Sequence, residues 1–125
     1  MYLYPAQETE RPENNEESAP AAKTPLGYVD WDGSTASNER VIIEKIPGVP
    51  GGVKTDEKGN VYVAAKGIYV YTPASNGPAK QIGEVPMGET PSNIAFGDPD
   101  LETLYITART GVYRVRLGVR GALSY

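Results

Sequence analysis

The stretch that decides the fold is residues 50–71, "PGGVKTDEKGNVYVAAKGIYVY", because a second version of it follows at residues 91–115, "PSNIAFGDPDLETLYITARTGVYRV". The two copies start 41 residues apart, and the offset grows to 43 at Tyr62 and Tyr105. The extra residues fall in the turn "GDPDLE", where insertions cost least. A period of about 42 residues that contains four short strands is typical of a β-propeller blade.

Short apolar segments between turn residues continue this pattern along the chain, and no stretch has an apolar 3.6-residue period long enough for a helix. Nine strands are predicted: Leu26–Trp31, Arg40–Lys45, Val53–Thr55, Val61–Ala65, Gly67–Thr72, Ala79–Val85, Asn93–Phe96, Thr103–Ala108 and Gly111–Leu117. Named a to d from the axis of a propeller outward, they run c-d, then a-b-c-d, then a-b-c. The sequence therefore predicts an all-β fold of about two and a quarter four-stranded antiparallel blades.

The charged part of the deciding stretch is a turn in this scheme. "VPGG" connects strand d of one blade to strand a of the next, and "DEKGN" is the tight turn of the a-b hairpin, with Gly59 and Asn60 expected at positive φ. Asp56, Glu57 and Lys58 are then turn residues at the end of the blade away from any pocket. In the same way, "DWDGSTASNE" (residues 30–39) is interpreted as a hairpin turn, since its glycine is in the wrong place for a calcium-binding EF-hand loop.

Composition excludes several kinds of site. The chain has no histidine and no cysteine, which removes imidazole bases, thiol nucleophiles and disulfides. The net charge is −4, of which −3 lies in residues 1–25, so the remainder is nearly neutral and offers no basic surface for nucleic acid. We expect no nucleic-acid partner.

The N-terminal segment differs from the rest of the chain. Residues 7–25 contain no apolar side chain larger than Ala and cannot offset the entropy cost of ordering. We predict a disordered acidic arm at residues 1–25, either a solvated linker or a partner-binding tail, and a partial propeller at residues 26–125. The chain lacks a signal-peptide pattern and any apolar run of membrane-spanning length, so we expect no membrane association. The compartment stays open, with the cytoplasm as the default expectation.

The strings "IPGVPGG", "GGVKTDEKGNVYVAAKGIYVYTP" and "PSNIAFGDPDLETLYITARTGVYRVRL" resemble the C-terminal part of the senescence marker protein, gluconolactonase and luciferin-regenerating enzyme family. The resemblance implies a six-bladed propeller with one divalent metal, calcium or zinc, in an axial pocket. It also implies hydrolysis of sugar lactones or related esters. Only the last third of such a propeller is matched.

One residue departs from the family pattern at the expected metal site. The family usually has Pro-Asp-Gly before the a-b hairpin, with the Asp as a metal ligand, and the corresponding triplet here is Pro50-Gly51-Gly52. Hard cations need several charged oxygens, and glycine offers only its backbone carbonyl. We therefore predict no metal ligand and no catalytic residue in this chain, and expect it not to bind the metal alone.

Four residues are candidates for the rim of the pocket: Arg109, Asn93, Ser92 and Lys66. In a propeller, the d-to-a and b-to-c connections lie at the same end, which places these side chains together. Arg109 could bond two oxygens of a ligand or be a solvated loop arginine. Asn93 is interpreted as capping its own turn, and the tyrosines of the strands as packing between blades.

An incomplete ring leaves two broad apolar blade faces bare and one blade without its outer strand. We therefore expect self-association or a partner chain that completes the propeller. Two functions remain open. The chain is a segment of a metal-dependent sugar lactonase that is inactive or weak alone, or it is a non-catalytic propeller scaffold or interaction module.

Overall fold

The computed structural model of the chain describes residues 2–5, 23–73 and 78–122. Within these residues all regular structure is strand: β1 Tyr2–Pro5, β2 Lys23–Trp31, β3 Ala36–Pro47, β4 Gly52–Thr55, β5 Val61–Ala64, β6 Ile68–Tyr71, β7 Gln81–Val85, β8 Pro91–Gly97, β9 Thr103–Ala108 and β10 Val112–Arg116. All nine predicted strands are present, and β1 is an additional strand that the sequence did not predict. The described residues form no helix long and apolar enough to cross a membrane.

The strands form three antiparallel sheets, named here the first sheet (β1-β2-β3), the middle sheet (β4-β5-β6-β7) and the last sheet (β8-β9-β10). The middle sheet confirms the predicted a-b-c-d order, and the last sheet confirms a-b-c. The first sheet contains the predicted hairpin of β2 and β3 with β1 added beside β2, from Tyr2 opposite Val29 to Pro5 opposite Leu26.

The prediction that residues 1–25 form a disordered arm does not hold at the two ends of that segment. Both ends of the predicted arm, residues 2–5 and 23–25, are strand residues that pair in the first sheet. Residues 6–22 lie outside the described residues, so their predicted disorder stays a prediction.

The middle sheet is covered on both faces, which explains why all four positions of β5 are buried. One face packs on the first sheet through a cluster of Leu26, Ile42, Ile43, Ile46, Val61, Val63, Ala65, Tyr69 and Tyr71. The other face packs on the last sheet through Tyr62, Ala64, Ile68, Ile94, Leu104 and Ile106. Because apolar side chains face both ways along β5, the strand lacks the in-out alternation of a sheet with one wet face.

The outward face of the last sheet differs from the prediction of a broad apolar surface. Arg114 and Thr107 are exposed there, and Tyr105 is half-buried. Val112 is the apolar member, with 71% of its surface exposed. The face is therefore of mixed polarity.

The turns follow the predicted chemistry with one correction. Asp32 accepts hydrogen bonds from the backbone N–H groups of Ser34 (2.9 Å) and Thr35 (2.8 Å), so residues 30–39 form the predicted hairpin turn. In "DEKGN", Gly59 has φ 88°, as predicted. The prediction of positive φ at Asn60 is wrong, because Asn60 instead turns its backbone and side-chain N–H groups towards Asp56.

Candidate functional site

The connections that were expected to form a pocket rim lie at one end of the sheets. Residues 48–51 and 86–90 lead into the first strands of the middle and last sheets, and residues 65–67 and 109–111 join their second and third strands. Antiparallel pairing places these connections at the same end. The turns at residues 56–60 and 98–102 lie at the opposite end, as predicted for the charged turn.

Gly51 and Gly52 lie against β8 of the last sheet at the rim end. A Cβ atom on Gly51 would overlap the backbone carbonyl oxygen of Ser92, and one on Gly52 would overlap the side-chain oxygen of Asn93 and lie 3.2 Å from its Cα. Gly51 is held by a 2.8 Å hydrogen bond from its N–H to the carbonyl of Ala64. The two glycines therefore permit a close approach of two backbones.

This packing bears directly on the missing carboxylate. Because the obstacle at Gly51 is a backbone oxygen, an aspartate there would require β4 or β8 to move. The position lacks the side chain of the family pattern and also lacks the space for it. Its assignment as the place of a lost metal ligand stays a prediction.

Ser92 and Asn93 are brought together with the glycines, and their polar groups are engaged within the sheet. The Ser92 hydroxyl lies 2.9 Å from the Thr107 hydroxyl and 3.1 Å from the Thr107 carbonyl oxygen. The Asn93 side-chain oxygen accepts a 2.8 Å hydrogen bond from the N–H of Ile94. Asn93 thus bonds its own local backbone, in line with its interpretation as a turn cap.

Arg109 lies beside a carboxylate that sequence reasoning missed. Glu89 accepts hydrogen bonds from the backbone N–H (3.0 Å) and hydroxyl (2.9 Å) of Thr110 and from the hydroxyl of Tyr113. The hydrogen bond from Tyr113, followed by those from Thr110 and a smaller contribution from the charge of Arg109, holds the pKa of Glu89 below its usual value. No local pattern marks Glu89, because its partners are 21 and 24 residues away in sequence.

Lys66, the fourth rim candidate, lies in the connection between β5 and β6. Its side chain is exposed, and its backbone N–H donates a 3.0 Å hydrogen bond to the carbonyl of Pro47. Gly48, with φ 89°, packs against the Lys66 backbone. A cleft of about 470 Å³ lies elsewhere, lined by residues 41–45 with Tyr71, Pro78, Ala79 and Gln81. None of the four predicted rim residues lines that cleft.

The opposite end of the middle sheet holds a buried carboxylate. Asp56 has 1% of its surface exposed. It accepts hydrogen bonds from the N–H of Lys58 (2.9 Å), the N–H and side-chain amide of Asn60 (3.0 and 2.9 Å) and the hydroxyl of Tyr62 (2.9 Å). Burial, followed by the hydrogen bond and charge of Asp56, raises the pKa of Tyr62 well above its usual value. This confirms the structural interpretation of Asp56.

The C-terminal segment covers that carboxylate. Residues 120–122 run between the two a-b turns, where the carbonyl of Arg120 accepts a 2.8 Å hydrogen bond from Glu57 N–H. Gly121 N–H donates to the carbonyl of Leu101 at 2.8 Å. Gly121 also lies against the ring of Phe96, which meets the Tyr62 ring edge-on at 5.3 Å between centroids. Tyr62 therefore packs between sheets, as the sequence predicted.

The described residues do not fit the metal that the family resemblance implies. Across residues 23–73 and 78–122, no three Asp or Glu side chains come close enough together to hold an ion. Asp56 is saturated by hydrogen bonds, and Glu89 is bound to its own loop. No chemical step is assigned to a metal in these sheets.

Three comparisons with known proteins match this architecture. The sequence model of the SMP-30/gluconolactonase/LRE-like region matches residues 23–110. Pentonolactonase XacC of Haloferax volcanii is 31% identical over 86 residues, which cover 67% of this chain and 29% of that protein.

Two solved structures have the same arrangement of strands. A luciferin-regenerating enzyme superposes with a TM-score of 0.68 at 27% identity, over 78% of this chain and 40% of that one. A protein assigned as a gluconolactonase superposes with a TM-score of 0.69 at 27% identity, over 80% of this chain and 34% of that one. The chain thus spans under a third of the curated relative and two fifths or less of the solved ones.

Proposed function

The chain belongs to the SMP-30/gluconolactonase/LRE-like family, and from that premise we propose that it is a segment of a lactonase-type propeller that hydrolyses sugar lactones weakly or not at all by itself. Its fold is gluconolactonase-like. The proposed complete ring has six blades, and the ligand is a sugar lactone or a similar small molecule that meets the rim of residues 92–93 and 109. Calcium or zinc is the proposed cofactor of the complete ring.

The observation that carries this proposal is the contact of Gly51 with the carbonyl of Ser92. Water bound to a metal becomes a usable nucleophile near neutral pH only when the metal is held firmly, and loss of a ligand weakens that hold. With neither a carboxylate nor space for one at Gly51, these sheets contribute the wall of a pocket. The ligands of a metal would have to come from outside the described residues.

The test measures calcium and zinc binding by calorimetry together with hydrolysis of gluconolactone and a pentonolactone. The unmodified chain is compared with Gly51→Asp and with Gly51→Ala, which adds the steric obstacle without the carboxylate. We expect no micromolar metal binding by any of the three, and equal destabilisation of the two variants. Micromolar binding by Gly51→Asp alone would show that the backbone contact does not prevent a metal site.

A second function, a non-catalytic scaffold or interaction module, is favoured by the hydrogen bonds that residues at the rim already make within the protein. Ser92, Asn93 and Glu89 all bond groups of their own sheet, so each would have to exchange a protein partner for a ligand. Lactone turnover that depends on added metal would argue against the scaffold. Absence of turnover by the chain alone is the expected result under both functions.

A further inference from the structure

The connections at the two ends of the middle and last sheets differ in charge. At the rim end, the charged residues of the four connections are Lys66, Glu89 and Arg109. At the opposite end, the a-b turns of residues 56–60 and 98–102 contain five carboxylates and one lysine. A ligand that approaches these connections therefore meets a strongly acidic end and an end at which cations outnumber carboxylates.

Lys66 and Arg109 occupy the same position of the repeat. They lie 43 residues apart, which is also the offset between Tyr62 and Tyr105. Each lies in the connection between the second and third strands of its sheet, and both side chains are exposed. The middle and last sheets therefore each present one cation at the rim end.

Neither cation is neutralised by an ion pair within residues 23–73 and 78–122. The ion pairs of that part of the chain are made by Arg40 and Arg116. Glu84 does come near the connection of Lys66, since its carboxylate would lie 3.6 Å from a Cβ atom on Gly67. Arg109 is therefore the stronger candidate for binding an anionic group, and Lys66 is the weaker one.

The carboxylate beside Arg109 is already bound by other groups. Glu89 accepts a 3.0 Å hydrogen bond from the N–H of Thr110, and the hydroxyl of Thr110 lies 2.9 and 3.0 Å from its two carboxylate oxygens. The hydroxyl of Tyr113 also donates to Glu89. Because these donors engage both oxygens, Glu89 fixes the connection of residues 109–111, and the guanidinium of Arg109 stays open to a ligand.

We propose that the lactone bound at the rim carries an anionic group, a carboxylate or a phosphate, and that Arg109 binds this group with the assistance of Lys66. The guanidinium can donate two parallel hydrogen bonds to such a group, whereas the hydroxyls of a neutral sugar leave its charge unused. Ser92 and Asn93 add no charge to the rim, and their polar groups bond within the sheet. This inference rests on the proposed function and names the class of its ligand.

The experiment compares two lactones that differ only at carbon 6, where D-glucaro-1,4-lactone has a carboxylate and D-glucono-1,4-lactone has a hydroxymethyl group. Binding of each to the full chain is measured by NMR titration of the backbone amides without added metal. We expect the dissociation constant of D-glucaro-1,4-lactone to be about 10-fold lower at low ionic strength, and the difference to shrink as salt is added. A titration with glucose 6-phosphate distinguishes the two anionic groups, because tighter binding of this sugar would assign the group to phosphate.

Variants at exposed positions identify the residue responsible. We expect Arg109→Gln to raise the dissociation constant of D-glucaro-1,4-lactone about 5- to 10-fold and to leave that of D-glucono-1,4-lactone unchanged. Arg109→Lys, which keeps the charge without the fork, should retain part of the preference. The matched control Lys58→Gln removes an exposed cation at the opposite end and should change neither constant.

Three results would overturn the proposal: equal affinity for the two lactones, binding of neither, or an effect of Lys58→Gln as large as that of Arg109→Gln. The titrations measure binding without turnover or metal. The preference for an anionic ligand can therefore fail while lactone hydrolysis stands, and hydrolysis can fail while the preference stands.

Discussion

The middle and last sheets contain the same pair of side chains in two different environments. In the middle sheet, Asp56 accepts a hydrogen bond from Tyr62, and both residues are buried. In the last sheet, Asp98 accepts one from Tyr105, and the pair lies at the surface. The local chemistry is repeated, while burial depends on which sheet comes next.

The difference shows how one repeat unit can serve two purposes. Around Asp56, Phe96 and the segment of residues 120–122 exclude water, so the carboxylate organises a turn and the Tyr62 hydroxyl needs it as a partner. Asp98 is exposed to solvent, so the same bond contributes little to stability there.

The largest expected effect comes from removing the two carboxylates in turn. Asp56→Ala leaves four donors without an acceptor, from the backbone of Lys58, the backbone and side chain of Asn60 and the hydroxyl of Tyr62, and we expect it to lower the free energy of unfolding by about 3 kcal/mol. Asp98→Asn, which keeps a residue type that tolerates the positive φ of this position (70°), should leave the urea midpoint close to that of the unmodified chain. Urea denaturation followed by tyrosine fluorescence measures both, and equal losses would mean that burial does not separate the two pairs.

The segment of residues 120–122, which covers Asp56 and Tyr62, provides the next test of the comparison. Gly121→Ala would place a methyl group that overlaps the Cβ, Cγ and Cδ2 atoms of Phe96, and we expect a loss of about 2 kcal/mol in the free energy of unfolding from the resulting displacement of the segment. Gly118→Ala is the matched control, since nothing lies within 4 Å of that position. If Gly118→Ala lowered the free energy of unfolding as much as Gly121→Ala, the assignment of residues 120–122 as the segment that covers Asp56 and Tyr62 would be contradicted.

The two a-b turns differ in the type of residue at their fourth position, which takes a positive φ and is a glycine in one turn and a leucine in the other. Gly59 (φ 88°) and Leu101 (φ 58°) each donate a backbone hydrogen bond to the carbonyl three residues earlier, in Asp56 and Asp98. We expect Gly59→Ala to lower the free energy of unfolding by about 1 kcal/mol, because a side chain is strained in this region. Gly88→Ala, in open space without positive φ, should cost less. Thermal denaturation of both variants measures the difference.

The smallest effect is one of pH. Burial raises the pKa of Tyr62 above its ordinary value near 10, and the hydrogen bond to Asp98 raises that of Tyr105. The native state holds the Tyr62 proton more firmly than the unfolded state. Its contribution to stability is therefore complete below pH 10 and falls as the pH rises above 10. We expect Tyr62→Phe to reduce this loss of stability above pH 10 more than Tyr105→Phe does. Urea midpoints at several pH values measure the difference. The reverse order would contradict the comparison.

Much of the fold could be predicted from local patterns. Nine strands, the order within the middle sheet and the hairpin turn at residues 30–39 follow from short apolar segments and turn residues that recur at a fixed spacing. Of the candidate site, Ser92, Asn93 and Gly51 come together as expected because the repeat places them at equivalent points of neighbouring sheets. The strand β1 was not predicted, since its partner β2 lies beyond the acidic segment.

What the sequence by itself determined is the repeat, and with it the strands, the turns and the family. Only the tertiary structure decided which copy of a repeated residue is buried, that Gly51 lies against a backbone oxygen, and that Glu89 binds a loop 21 residues away. The physical reason is the distance along the chain over which each kind of interaction acts. Strand and turn preferences act between residues close in the chain, while burial and contact depend on the sheet that packs against them.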